Sequence, residues 1–151
     1  MGEESRINLI EADIFDPSWI DIVLKENSSS PILIVASGVF NYYPRDTVLS
    51  LLLRLYRYKN FQIIFDAVNQ TGMKRMKRFY KKIGIQDYKN LFYVNNKDDL
   101  YLESTNSVVL DNTPFFSNIN KAHMSLITKI YMKLADFFKM INIIHISNEN
   151  I

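Results

Sequence analysis

Residues 32–44 read Ile-Leu-Ile-Val-Ala-Ser-Gly-Val-Phe-Asn-Tyr-Tyr-Pro. The first five form an unbroken apolar run, which is typical of a strand buried on both faces of a parallel sheet. Ser37 and Gly38 interrupt the run, and such small residues let a backbone turn tightly or approach a ligand closely. Aromatic residues, Pro44 and a helical pattern follow. A strand that leads through such a turn into a helix predicts an open α/β sheet with a binding site at the carboxyl ends of its strands.

Alternation of strands and helices extends this pattern to both sides. We predict strands at residues 6–10, 32–36 and 61–66. We predict one helix that starts at Asp16-Pro17 and a second helix that spans residues 45–58. That order favours parallel βαβ units. Farther on, we predict a basic helix at 71–83, a strand at 91–94, a helical turn at 97–103, a strand at 107–110 running on to 116, a helix at 124–140 and a final strand at 141–146.

The composition limits the possible classes of protein. With 151 residues, 48% hydrophobic and 23% charged, the sequence predicts a single domain over residues 1–151. A net charge of +2 gives little reason to expect a nucleic-acid or membrane partner. There is no cysteine, and with only two histidines, His123 and His145, we expect no metal site. The apolar runs are shorter than a membrane span of about 18 residues, so we expect a cytoplasmic protein.

Polar residues at predicted strand ends are candidates for ligand contact. Asp13, the Ser37-Gly38 pair and Asp66 each follow a predicted strand. Acids at such positions often bind hydroxyls or amines of nucleotide-like ligands, but they are also common helix caps. For Asp66 in particular, a capping role and a ligand role remain open.

Other side chains have two interpretations each. Tyr42 and Tyr43 either line a pocket or pack in the core. His145 alternates with apolar neighbours, which favours a structural histidine, and we expect His123 to be exposed. The basic residues between Lys74 and Lys82 fit an anionic partner such as RNA, but a solvated helix face is the interpretation we favour.

Signatures of familiar catalytic sites are missing from the sequence. It contains no phosphate-binding glycine loop, no lysine-serine P-loop and no nucleophile elbow. No Ser-His-Asp triad can be assembled, and no zinc-ligand spacing occurs. We therefore assign no catalytic residue.

Several stretches together resemble the carboxyl-terminal half of the leucine carboxyl methyltransferase family, in particular its tetracenomycin-polyketide-type O-methyltransferases. Residues 34–43 resemble the fourth-strand motif, usually written Ala-Glu-Gly-Val-x-x-Tyr-Leu. Residues 9–16, Leu-Ile-Glu-Ala-Asp-Ile-Phe-Asp, followed by Trp19, resemble the motif after the third strand. Residues 61–66 are similar to the fifth strand, and the last helix and residues 140–145 to the end of the family's fold.

The resemblance implies a Rossmann-like class I methyltransferase sheet, mostly parallel with an antiparallel last strand, that binds S-adenosylmethionine. Asp13 would accept a hydrogen bond from the adenine amino group, and Ile14 would pack beside the ring. Gly38 would let the backbone approach the cofactor. Ser37 stands where the family has glutamate, and it is too short to make the same contact.

On the substrate side, Tyr42 corresponds approximately to the family's tyrosine, and Tyr43 stands where leucine is usual. The methyl acceptor would be a carboxylate or hydroxyl of a small molecule.

The resemblance also implies that a part of the fold is missing. The family's first strand, glycine-rich loop and second strand with its ribose-binding acid would precede Arg6. We therefore expect a truncated chain, half of a split gene or an expressed fragment, partnered by an amino-terminal half or by itself through open sheet edges. Alone it should bind cofactor weakly or not at all. The alternatives are a non-catalytic methyltransferase-like subunit or interaction module and, less favoured, nucleic-acid binding through residues 74–82.

Overall fold

The computed structural model describes residues 7, 9–16, 18–26, 31–58, 60–84, 90–100 and 107–148. The chain divides into two compact units, Met1–Ser30 and Pro31–Ile151. Among the described helices, none combines the length and apolar content needed to cross a membrane.

In the described part of the first unit there is one helix, α1, at Ser18–Glu26. Asp16 precedes it as predicted, and its carboxylate accepts a hydrogen bond from the backbone N–H of Ser18 at 3.0 Å. The predicted strand at residues 6–10 is wrong, because Ile7 and residues 9–13 adopt neither strand nor helix. Leu9 is 94% exposed, and an apolar pattern by itself does not supply the neighbouring strand that a ladder requires.

The second unit is an α/β fold built on a four-stranded mixed sheet. Its strands are β1 (Ile32–Ala36), β2 (Phe61–Val68), β3 (Val108–Pro114) and β4 (Ile141–Ser147), in the spatial order β1-β2-β4-β3. β1 and β2 are parallel, whereas β4 is antiparallel to both β2 and β3. Three strands therefore run in one direction, and the last strand runs against them.

Among the described residues of the second unit, three α-helices accompany the sheet, namely α2 (Arg45–Leu55), α3 (Gln70–Lys82) and α4 (Leu126–Phe137). Short 3₁₀ turns occupy Phe40–Tyr42 and Lys97–Leu100. The helical turn predicted at 97–103 is thus confirmed over its first four residues, and residues 101–103 lie outside the described part. The strand predicted at 91–94 is wrong, since this segment makes one isolated bridge, between Leu91 and Pro44, instead of a ladder.

One face of the sheet carries the core. Buried and half-buried residues alternate along β2, and the register sets Ile63 beside Ile146 and Phe65 beside Ile144. The Phe65 ring lies 5.2 Å from that of Phe40 and 6.2 Å from that of Phe92. Burying aromatic and aliphatic side chains in this way is the main driving force for folding.

β1 departs from the sequence prediction on one point. Leu33 and Val35 are 57% and 66% exposed, so this strand is not buried on both faces. Within the described residues β1 pairs only with β2, which makes it an edge strand. An edge position leaves one row of backbone groups unpaired, and the exposure of Leu33 and Val35 shows in addition that one face of β1 is not covered. A five-residue apolar run reveals neither feature.

Candidate functional site

The Ser37-Gly38 turn lies where β1 ends. Gly38 has φ of +67°, a left-handed conformation that side chains disfavour. A Cβ built on Gly38 would meet nothing within 4 Å, so the space beside its backbone is open. Ser37 is exposed next to it. The turn therefore presents backbone and a hydroxyl to any ligand that binds at this edge of the sheet.

Asp66 of β2 fixes the conformation of this turn. One carboxylate oxygen accepts a hydrogen bond from the Gly38 N–H at 2.5 Å, and the other accepts one from the Asn41 side-chain amide at 3.1 Å. The capping interpretation is wrong, because α3 is capped by Asn69, whose side chain accepts from Gly72 N at 2.8 Å. Asp66 instead joins the end of β2 to the turn that follows β1.

Asn41 completes the network, and the sequence analysis did not single it out. It is only 5% exposed, and its side-chain oxygen accepts a hydrogen bond from the Val68 N–H at 3.1 Å. With its amide donating to Asp66, it is bonded on both sides, as a buried amide must be. The sequence signal for a buried, hydrogen-bonded Asn41 is a polar amide that stands between Phe40 and Tyr42 among apolar neighbours.

Tyr42 and Tyr43 lie beside the turn and outside the core. They are 59% and 38% exposed, so the core interpretation is wrong for both. The ring of Tyr42 lies 6.1 Å from that of Tyr80, a tyrosine of α3. Burial raises the pKa of Tyr80 to about 12, and the neighbouring Tyr42 adds to the rise. Tyr42 and Tyr43 are therefore accessible for ligand contact.

The loop at residues 93–99 is held in place by Arg45 and lies near the same edge of the sheet. The Arg45 guanidinium donates to the carbonyls of Tyr93 and Asp99, both at 2.9 Å, and lies 5.8 Å from the centre of the Tyr93 ring. The Asp99 carboxylate accepts from Asn95 N at 2.7 Å, and the Asn95 side chain accepts from Gln70 N at 3.0 Å. The loop is thus fixed to the start of α3, whose first backbone donors it helps to satisfy.

Asp13 and Ile14 lie in the first unit, in a turn before α1. The Asp13 carboxylate accepts a hydrogen bond from Phe15 N at 2.9 Å, and the backbone carbonyl of Asp13 accepts one from Asp16 N at 3.0 Å. The Ile14 carbonyl accepts from the indole N–H of Trp19 at 3.0 Å. The prediction that Asp13 ends a strand is therefore wrong. Its side chain is exposed.

The remaining candidates have structural or solvent-facing environments. His145 hydrogen-bonds Gln62 on the neighbouring strand at 2.8 Å, which confirms a structural histidine, and His123 is exposed as expected. Most basic residues of α3 are also exposed. Among the described residues, no group of three His, Cys, Asp or Glu side chains could hold a metal ion.

Comparison with known proteins adds no family. No protein-family model matches the chain, and no curated protein matches it significantly. The features that point to a function are therefore the turn after β1, the residues beside it and the resemblance in the sequence.

Proposed function

We propose that the chain is the carboxyl-terminal part of a Rossmann-like S-adenosylmethionine-dependent O-methyltransferase, which methylates a carboxylate or hydroxyl of a small molecule. The observation that carries the proposal is the turn at Gly38. It lies at the carboxyl end of a parallel strand, it is held by an acid of the next strand, and the space beside it is open. Ligands of open α/β sheets bind at such positions.

The direction of the last strand supports the same proposal. The resemblance implies a mostly parallel sheet whose final strand is antiparallel. β1, β2 and β3 share one direction, and β4 runs against them. The resemblance and the sheet thus agree on a feature that neither the fourth-strand motif nor composition specifies.

The chemistry would depend mainly on positioning. S-adenosylmethionine supplies an activated methyl group: the acceptor oxygen forms a bond to the methyl carbon while the carbon–sulfur bond breaks and sulfur keeps the electron pair. Holding the two reactants in line accounts for much of such an acceleration. Gly38 and Ser37 would contact the cofactor, and Tyr42 and Tyr43 would contact the acceptor.

Titration of the ¹⁵N-labelled chain with S-adenosylhomocysteine tests the site. We expect weak binding, with chemical-shift changes concentrated on the amides of Ser37, Gly38 and Asn41. The amide of Gly84 provides an internal reference, because Gly84 also has a positive φ but ends α3. Shift changes spread over other surfaces at millimolar ligand would contradict a cofactor site at this turn.

A paired variant distinguishes contact from folding. A methyl group on Gly38 would occupy the open space, whereas one on Gly84 carries a similar left-handed backbone cost away from the turn. Gly38→Ala should therefore remove the shift changes, and Gly84→Ala should keep them. Equal ligand responses in the two variants would show that Gly38 does not contact the cofactor.

Activity is expected only when an amino-terminal segment completes the sheet. β1 is an edge strand in the described part of the chain, so strands could be added along it. Mixing the chain with a separately expressed segment that encodes a glycine-rich loop should yield transfer of a radiolabelled methyl group.

A non-catalytic methyltransferase-like subunit is the second candidate. It is favoured by Ser37 in place of the family's glutamate and by the use of both Asp66 oxygens inside the protein. In that case the mixture would assemble without methyl transfer, and Gly38 would give no ligand response in the assembled form.

A further inference from the structure

Helix α4 turns its apolar side to solvent. Six large apolar residues are between 45% and 79% exposed, namely Leu126, Ile127, Ile130, Tyr131, Leu134 and Phe137. No residue of α4 is buried. The side chains that are partly covered are instead Lys129, Met132, Ala135 and Asp136. A surface helix ordinarily buries its apolar stripe, so this arrangement is the reverse of the usual one.

The helix is attached to the protein through the side that carries Met132, Ala135 and Asp136. The Asp136 carboxylate accepts a hydrogen bond from Phe116 N at 3.0 Å and lies 3.6 Å from the ammonium of Lys121. At 100° per residue, the six exposed apolar residues lie within an arc of roughly 140° on the opposite side. We call these six exposed apolar residues the crest of α4.

The crest is too large to be ordinary surface. Six side chains of this size at these exposures present roughly 700 Å², whereas the largest apolar patch on a typical monomer is about 300–600 Å². Patches of that size mark surfaces that contact another protein or a membrane.

Lysines line one long edge of the crest. A depression of about 310 Å³ is lined by Lys121, Lys129 and Lys133 around Ala122, Leu126 and Ile130. The surrounding unit is also basic, since residues 31–151 contain 16 Lys and Arg but only 9 Asp and Glu. The chain's small net charge conceals this excess, because residues 1–30 are acidic. These charges favour an anionic partner.

We propose that α4 binds the surface of an anionic phospholipid bilayer. The apolar crest would enter the boundary between headgroups and acyl chains, and the lysines would contact lipid phosphates, as in other interfacial helices. A second copy of the chain fits the crest less well, because antiparallel pairing of two α4 helices would set the edge with Lys129 and Lys133 against its own equivalent. The sequence-based expectation of no membrane partner rests on the net charge of the whole chain and on the lack of long apolar runs, and neither reveals a local basic and apolar helix surface.

Vesicle flotation of the full chain tests this proposal. We expect binding to vesicles of equal parts phosphatidylcholine and phosphatidylserine, at least about tenfold weaker binding to phosphatidylcholine alone, and loss of binding as salt shortens the Debye length. Ile130→Glu and Phe137→Glu should abolish flotation. Phe79→Glu is the matched control, because Phe79 is 58% exposed on α3, and it should float like the unmodified chain. Lys129→Gln with Lys133→Gln should weaken binding to the anionic vesicles selectively.

Two results would overturn the proposal. One is flotation that is absent, or unchanged by Ile130→Glu. The other is a concentration-dependent dimer in analytical ultracentrifugation that Ile130→Glu dissociates, because the crest would then be a protein interface. Circular dichroism of each variant checks that it is folded, which we expect because the substituted apolar side chains are exposed.

Discussion

Replacing Asp66 by alanine should release the turn after β1. The carboxylate accepts hydrogen bonds from Gly38 N and from the side chain of Asn41, and Asn41 in turn accepts from Val68 N. Alanine removes both acceptors at once. The Gly38 amide can then bond to water, but the Asn41 amide is held in a nearly buried position.

These contacts set the expected loss of stability. A hydrogen bond to a charged group contributes about 1.5–3 kcal/mol, and a buried donor without a partner costs about 1–3 kcal/mol. Because Asp66 is partly exposed, we expect the low end of the first range for each bond. Asp66→Ala should therefore lower the free energy of unfolding by about 2–4 kcal/mol. Asp66→Asn keeps one acceptor oxygen for the Asn41 amide but turns an NH2 group toward the Gly38 N–H, so its loss should be smaller than that of alanine yet more than half of it.

Urea unfolding followed by circular dichroism measures these differences, and hydrogen exchange locates them. The Gly38 amide should exchange faster in Asp66→Ala by a factor larger than that of amides in α2. Asp46→Ala is the control, because Asp46 is an exposed acid in the first turn of α2 and should change stability by less than about 1 kcal/mol. A loss below about 0.5 kcal/mol for Asp66→Ala, or equal losses for alanine and asparagine, would refute the argument.

Three further substitutions, the first with Gly84→Ala as its control, test the packing. Gly72→Ala should cost at least about 2 kcal/mol in thermal unfolding, because its Cβ would lie 2.5 Å from the carbonyl oxygen of Met140, whereas Gly84→Ala should cost only about 1 kcal/mol. Tyr56→Phe should not destabilise the protein near neutral pH, because no described group bonds its buried hydroxyl. Burial raises the pKa of Tyr56 above its ordinary value of about 10, so above that pH the unfolded chain loses the hydroxyl proton while the folded protein keeps it. The free energy of unfolding should therefore be unaffected by this group below about pH 10 and should fall above it. Urea unfolding at neutral and alkaline pH should show a smaller alkaline decrease of that free energy in Tyr56→Phe. Arg45→Lys should cost about 1–2 kcal/mol, since an ammonium cannot reproduce two guanidinium bonds to separate carbonyls.

The strands of the second unit were largely predictable because short apolar runs bounded by polar residues specify them locally. Their neighbours were not predictable in the same way. The β1 run shows that a strand forms but not that Leu33 and Val35 are exposed, since this depends on which elements pack against their face of the sheet. The failed prediction at residues 6–10 has the same cause, because a strand exists only with a partner.

The candidate site was predictable as a set of positions but not as a network. Ser37, Gly38 and Asp66 were each noted at a strand end. Their connection follows from register: Ala36 pairs with Phe65 across the parallel strands, so the next residues of both strands lie side by side. Asn41 was missed because its role depends on burial between these two ends, which a pattern along one segment does not reveal.

The geometry of Asp66 also bears on the choice between the two proposed acceptors. A hydroxyl must lose its proton when it is methylated, which requires a base, and the acid that the structure places at this turn already accepts two internal hydrogen bonds. A carboxylate, with an ordinary pKa near 4, is already ionised at neutral pH and needs no base. We therefore expect the completed enzyme to prefer carboxylates, with a rate that is constant from about pH 6 to pH 9 in radiolabel transfer. A rate that rises with pH across this range, together with faster methylation of hydroxyl acceptors, would show that a base outside the turn takes part and would remove the link between Asp66 and acceptor choice.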